Sequence, residues 1–190
     1  MVLGESTVAG IGAPTHADAL SGRIAHAIAA RTGRGVDWRA VGRSGATARD
    51  ALDTLVPRLD GTADLLVVAL GVNDVLWLRT PAQWTADLRE LLVAARVRLG
   101  DPAVLIAGMP PVGEFRVFPQ PLRLVLGLRA RALDEATRLL AATLPHTVSM
   151  HLETGFDPAW FCDDRLHPSP HGYARWADQL AAATDPLLAH

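Results

Sequence analysis

The stretch LLVVALGVND, residues 65–74, decides how this chain is read. Its first six residues are apolar without alternation, so a strand made of them must be covered on both faces. AVLIAG, residues 103–108, repeats the pattern. Such strands belong to parallel sheets with helices on each side. The last four residues, Gly71 to Asp74, set a glycine and two short polar side chains just past the strand end.

Outward from there, strands are expected at Met1–Leu3, Val36–Val41, Leu65–Leu70, Ala103–Met109 and Thr147–Leu152. Helical patterns separate them. Thr80, Pro81 and Gln83 supply an N-cap, a first-turn proline and a capping-box partner. Trp84, Leu88, Leu91, Leu92, Ala95 and Leu99 then share one face. TARD, Thr47 to Asp50, opens another helix, and THAD, Thr15 to Asp18, precedes one reaching Ala30. A long helix is expected over residues 121–144, with Gly127 as its weak point, and a last one begins at Ser169 and Pro170. This alternation predicts one α/β domain over residues 1–190, a three-layer α/β/α sandwich around a five-stranded parallel sheet.

Ligands of such sheets gather beyond the carboxyl ends of the strands, so chemistry is sought in the loops that follow them. After the first strand comes Gly4-Glu5-Ser6. A serine is a nucleophile only if a base takes its proton, and its N–H can help to hold an oxyanion; the plain alternative is a turn. After the second, Gly45 in VGRSGAT can bring its N–H close to a substrate, or simply turn the chain. After the third, the Asn73 amide can donate to an oxyanion while Asp74 braces the loop, or the pair forms an Asx-turn. After the fifth, FCDDRLHPSPHG holds Asp164 and His167 three residues apart. A carboxylate on one ring nitrogen leaves the other to face the serine; the alternative is a charged surface turn. Each loop is weak alone. Serine, glycine, asparagine and Asp-x-x-His after four different strands, in this order, point jointly to catalysis.

On these residues the chain resembles the SGNH-hydrolase family, also called the GDSL lipases and esterases. GES matches its first block, RSGAT its second, GVND its third and DRLH its last. The resemblance spans the chain and implies a flavodoxin-like strand order. It also implies hydrolysis of carboxylic esters or thioesters through an acyl-enzyme, without metal or cofactor. Ser6 would be the nucleophile, His167 the base and Asp164 the acid, with the oxyanion on the N–H groups of Ser6 and Gly45 and on the Asn73 side chain. Two departures stand out. Glu5 replaces the family's Asp, a loop brace. Met1–Leu3 is also short for a central strand, which usually has about five to six residues, so further residues upstream or a different start are expected.

Among the neighbours, His171 lies seven residues from Asp164 and across a helix start, which favours His167 as the base. Cys162 is expected to be a packed side chain, and His16, His26, His146 and His151 show no ligand spacing. The proline-bounded segment MPPVGEFRVFPQPLRLVLG, residues 109–127, should line the site. Phe115, Val117 and Phe118, with Trp77 and Leu78, are candidate walls of an acyl pocket, or equally caps of the core or of an oligomer contact. An apolar acyl chain suits them better than a charged one.

The expected enzyme is a small-acyl esterase or lysophospholipase-like hydrolase acting on a small-molecule or lipid ester. One alternative is a carbohydrate O-deacetylase or acyltransferase on the same residues, although the fourth loop is mostly aliphatic. Another is a non-catalytic flavodoxin-like module holding an anion at helix N-termini, which leaves Asn73 and the Asp164–His167 pair without a role. A net charge of −2 gives no grip on nucleic acid. All 18 cationic side chains are arginine, which fits the codon bias of a GC-rich bacterium. No apolar run approaches the roughly 20 residues of a membrane span. One cysteine forms no intrachain disulfide, and a cytoplasmic location is expected, with a removed leader left open.

Overall fold

The computed structural model describes residues 1–152, 155 and 157–188. Five parallel strands, β1 (Val2–Gly4), β2 (Ala40–Gly42), β3 (Leu65–Ala69), β4 (Ala103–Ile106) and β5 (Thr147–Ser149), pair in the order β2-β1-β3-β4-β5. Their side chains alternate between two cores. Leu3, Leu66, Val68, Val104 and Ile106 face α2 (Ala48–Thr54), α4 (Pro81–Leu99) and α5 (Leu122–Ala141). Val2, Val67, Ala69, Leu105 and Ala107 face α1 (Leu20–Thr32) and α6 (Pro170–Ala183). This is the expected α/β/α sandwich. A short α3 (Val72–Leu76) and a terminal α7 (Asp185–Leu188) complete the helices among the described residues. The chain leaves β1 toward β2 on one side while β3 lies on the other, so the switch point of the sheet falls between β1 and β3.

Two capping boxes form as the sequence indicates, Thr47 with Asp50 on α2 and Thr80 with Gln83 on α4. Ser169 caps α6 by accepting the Gly172 N–H at 3.2 Å. The second strand is corrected: it starts at Ala40, not Val36, because its register pairs Ala40 with Val2, the first residue of β1. The first helix starts at Leu20, after the turn in which Thr15 and Asp18 hydrogen-bond each other, as the sequence indicates; Ala19, between turn and helix, is extended, with ψ 179°. None of the helices among the described residues is long and apolar enough to cross a membrane.

Candidate active site

The Ser6 turn sits directly on the end of β1. Gly4 makes this close approach possible, since a Cβ there would lie 2.2 Å from the Ala69 carbonyl oxygen. The N–H groups of Val8 and Ala9 fold back onto the Glu5 carbonyl. Among the described residues no protein acceptor takes the N–H of Ser6 or of Gly45. Gly45 holds φ 78°, in the left-handed region, and a Cβ there would meet open space.

Three loops are tied together beneath this turn. Glu5 is 6% exposed and accepts the Val72 N–H on Oε1 at 3.2 Å and the Asn73 Nδ2 on Oε2. Asn73 Nδ2 also donates to the Ala46 carbonyl at 3.1 Å, so both of its hydrogens are engaged. Asp74, fully buried, accepts the Ala48 N–H on both carboxylate oxygens, at 3.1 and 3.3 Å, and thereby fixes the loop that carries Gly45. Burial pushes Glu5 up to about 8, against its hydrogen bond from Val72, and pushes Asp74 up to about 7.

In the last loop, Asp164 Oδ2 lies 2.6 Å from His167 Nδ1, while Oδ1 accepts the N–H groups of Leu166 and His167, each at 2.9 Å. Desolvation alone would raise the Asp164 carboxyl; the bonds from His167 and the two amides outweigh it and hold the group below its ordinary range. A proton on Nδ1 leaves the lone pair of Nε2 for the cavity. The loop is fastened to the nucleophile's loop. Tyr173 donates its hydroxyl to the Ile11 carbonyl at 2.5 Å, and the Cys162 thiol lies 3.4 Å from the Gly12 carbonyl oxygen. Cys162 is thus a packing residue, and desolvation raises its thiol pKa.

Ser6, Gly45, Asn73 and His167 all line one cavity of about 250 Å³. Ser6 Oγ and His167 are not joined by a hydrogen bond, a looseness common in the absence of substrate. Of the candidate pocket residues only Phe115 lines this cavity. The turn of α3 directs Asn73 and Leu76 inward and leaves Trp77 and Leu78 outside. Phe118 packs on the core instead, and Val117 is exposed. The wall also includes residues outside the sequence expectation: Phe161, edge-on to Phe115 at 5.5 Å, and Trp160, Arg175, Trp176 and Gln179. The aromatic pair in PAWF, just ahead of the Asp164–His167 block, was the available signal.

A second Asp–His pair exists, His151 Nδ1 with Asp134 Oδ2 at 2.6 Å. It borders a different cavity, whose described lining holds no serine, threonine or cysteine. Among the described residues no group of three His, Cys, Asp or Glu side chains is placed to hold a metal ion.

The sequence model of the GDSL-like lipase/acylhydrolase family matches residues 2–175. A GDSL-like esterase of Mycobacterium tuberculosis is 28% identical over 198 residues, covering 96% of this chain. The chain spans 60% of that relative's length. A lipase from the goat rumen metagenome shares the fold with TM-score 0.75 at 17% identity, over 96% of this chain and 95% of its own. A family 3 carbohydrate esterase of Clostridium thermocellum does so with TM-score 0.72 at 16% identity, over 100% and 96%.

Proposed function

The chain belongs to the GDSL-like lipase/acylhydrolase family, and from that premise we propose that it hydrolyses carboxylic esters by serine catalysis. The observation that carries this reading is the meeting of Ser6, Gly45, Asn73 and His167, each from the segment after a different strand, at one cavity with Asp164 behind His167. In the first step Ser6 Oγ bonds to the ester carbonyl carbon as its proton passes to His167 Nε2. The oxyanion rests on the free N–H groups of Ser6 and Gly45. Asn73 joins them when its amide turns: Glu5, protonated near neutral pH, then donates to Oδ1 and Nδ2 faces the cavity. The carbon–oxygen bond to the leaving group breaks, and His167 returns the proton to the departing alcohol. Water, losing a proton to His167, then bonds to the acyl carbon; the bond to Ser6 Oγ breaks, and His167 returns the proton to that oxygen as the acid leaves.

The cavity is at the small end for ligand pockets, and its Leu70, Phe115 and Phe161 wall favours a short apolar acyl group. A second reading has a specific observation behind it. Trp160 with Arg175 over its ring, Trp176 and Gln179 form an aromatic and polar end suited to a sugar, which supports a carbohydrate ester as substrate. A cytoplasmic location is our reading on the single-cysteine composition alone. The test is hydrolysis of p-nitrophenyl acetate, butyrate and octanoate, and of acetylated xylo-oligosaccharides, by the wild type and Ser6→Ala. Loss of kcat on the order of 10³ or more in Ser6→Ala is expected; equal rates in both proteins would overturn the proposal.

A further inference from the structure

We infer that the rim of the active-site cavity is a docking surface for an anionic lipid bilayer, built from the turn after α3 and the outer face of the first half of α5. Leu76, Trp77 and Leu78 are consecutive and 37%, 73% and 60% exposed. Leu76 also lines the cavity, so the apolar surface runs outward from the mouth. α5 passes beside this turn, where Arg129 donates to the Arg79 carbonyl at 2.7 Å. One helical turn before Arg129 stands Val125. The buried side of α5 is Leu126, Ala130, Leu133, Thr137 and Leu140. Leu124, Val125 and Leu128 therefore point away from the core and are exposed. A helix that follows a parallel strand starts at the carboxyl end of the sheet, so this stripe lies at the same end as the cavity mouth.

Charge selects the occupant. Residues 102–134 carry two acids, Glu114 and Asp134, against four arginines, Arg116, Arg123, Arg129 and Arg131, a positive surplus in a chain of net charge −2. Among the described residues eight arginines form ion pairs with carboxylates, as Arg23 with Asp18 and Arg138 with Glu135. Among the described residues no carboxylate lies within ion-pair distance of Arg116, Arg123 or Arg131. A second copy docked symmetrically on this face would set these guanidinium groups against their own images. A bilayer with anionic headgroups satisfies both features, since aliphatic side chains enter the acyl boundary, tryptophan sits at the headgroup level and arginine reaches the phosphates. The inference stands on this surface and not on the reaction, so a failed hydrolysis assay leaves it intact.

The experiment is co-sedimentation with vesicles of phosphatidylcholine, with and without phosphatidylglycerol, and light scattering of the free protein. The wild type should partition onto the phosphatidylglycerol vesicles on the order of tenfold better than onto phosphatidylcholine alone, and less so as salt rises. Trp77→Ser with Leu78→Ser should lower that binding on the order of tenfold. Arg123→Gln with Arg131→Gln should lower it roughly fivefold per arginine. Thermal unfolding checks each variant, and if the apolar pair fails to fold, the arginine pair decides. Equal partitioning onto both vesicle types, no partitioning, or undiminished binding in a folded variant overturns the proposal. So does a dimer that Trp77→Ser dissociates, which would assign the face to a second copy.

Discussion

Replacing Glu5 by glutamine should change how stability depends on pH, and by a predictable amount. The folded protein keeps the Glu5 proton up to about 8, whereas the ordinary value is 4.5. Between these values the folded state holds more protons than the unfolded one, so stability falls as pH rises and levels off above about 8. At about 1.4 kcal/mol per pH unit, the gap corresponds to on the order of 5 kcal/mol. Glutamine has the same shape and no titration, so this slope disappears in Glu5→Gln. Asp74, raised to about 7 from 3.8, adds its own slope to both proteins, and only its repulsion of Glu5, which helps to raise that carboxyl, enters their difference. Urea unfolding of both proteins from about pH 5 to about pH 9 measures that difference. It should grow in favour of the variant by several kcal/mol and flatten above pH 8. Parallel curves would refute the reasoning, because Glu5 would then not be a protonated, buried acid. Activity offers a second readout. Ionised Glu5 retains Asn73 Nδ2, so wild-type kcat should decline through pH 8 while Glu5→Gln holds its value.

His167→Ala should lose hydrolysis on the order of 10³-fold or more, whereas His151→Ala should keep it within about twofold, as p-nitrophenyl ester kinetics will show. Asp164→Asn should lower kcat by up to about 10⁴, since an amide no longer fixes the His167 tautomer. Gly12→Ala places a Cβ 2.4 Å from the Pro168 carbonyl oxygen, at φ 90°; it should cost on the order of 1–3 kcal/mol in urea unfolding and lower kcat by displacing the His167 loop.

The sandwich was legible because β3 and β4 are apolar on both faces and because Thr47 and Thr80 announce their helices with complete capping boxes. Asp164 and His167 were legible because both members of the pair lie within one turn of sequence. What escaped depends on distance or on orientation. Glu5 meets Asn73 across 68 positions, and only folding shows that the longer side chain reaches the amide. α3 has five residues, too few for periodicity to reveal, so nothing in the sequence told which of Leu76, Trp77 and Leu78 faces inward. The length of β2 was set by its partner β1, not by the Val36–Arg39 stretch before Ala40. Trp160 and Trp176 approach the cavity from a loop and a helix whose own patterns concern turns and the α1–α6 contact.

The latch between Tyr173 and Ile11 has a consequence for biogenesis. A ribosome delivers Ser6 well before His167 and Tyr173, so while the residues between them are made the serine has neither acid and base nor the hydroxyl that anchors its loop. Hydrolytic competence should then arise in a single late event, when α6 emerges and closes against α1. Nascent or prematurely terminated chains would be inert toward esters, and active-site labelling by a fluorophosphonate would report completion of the fold, not merely its presence.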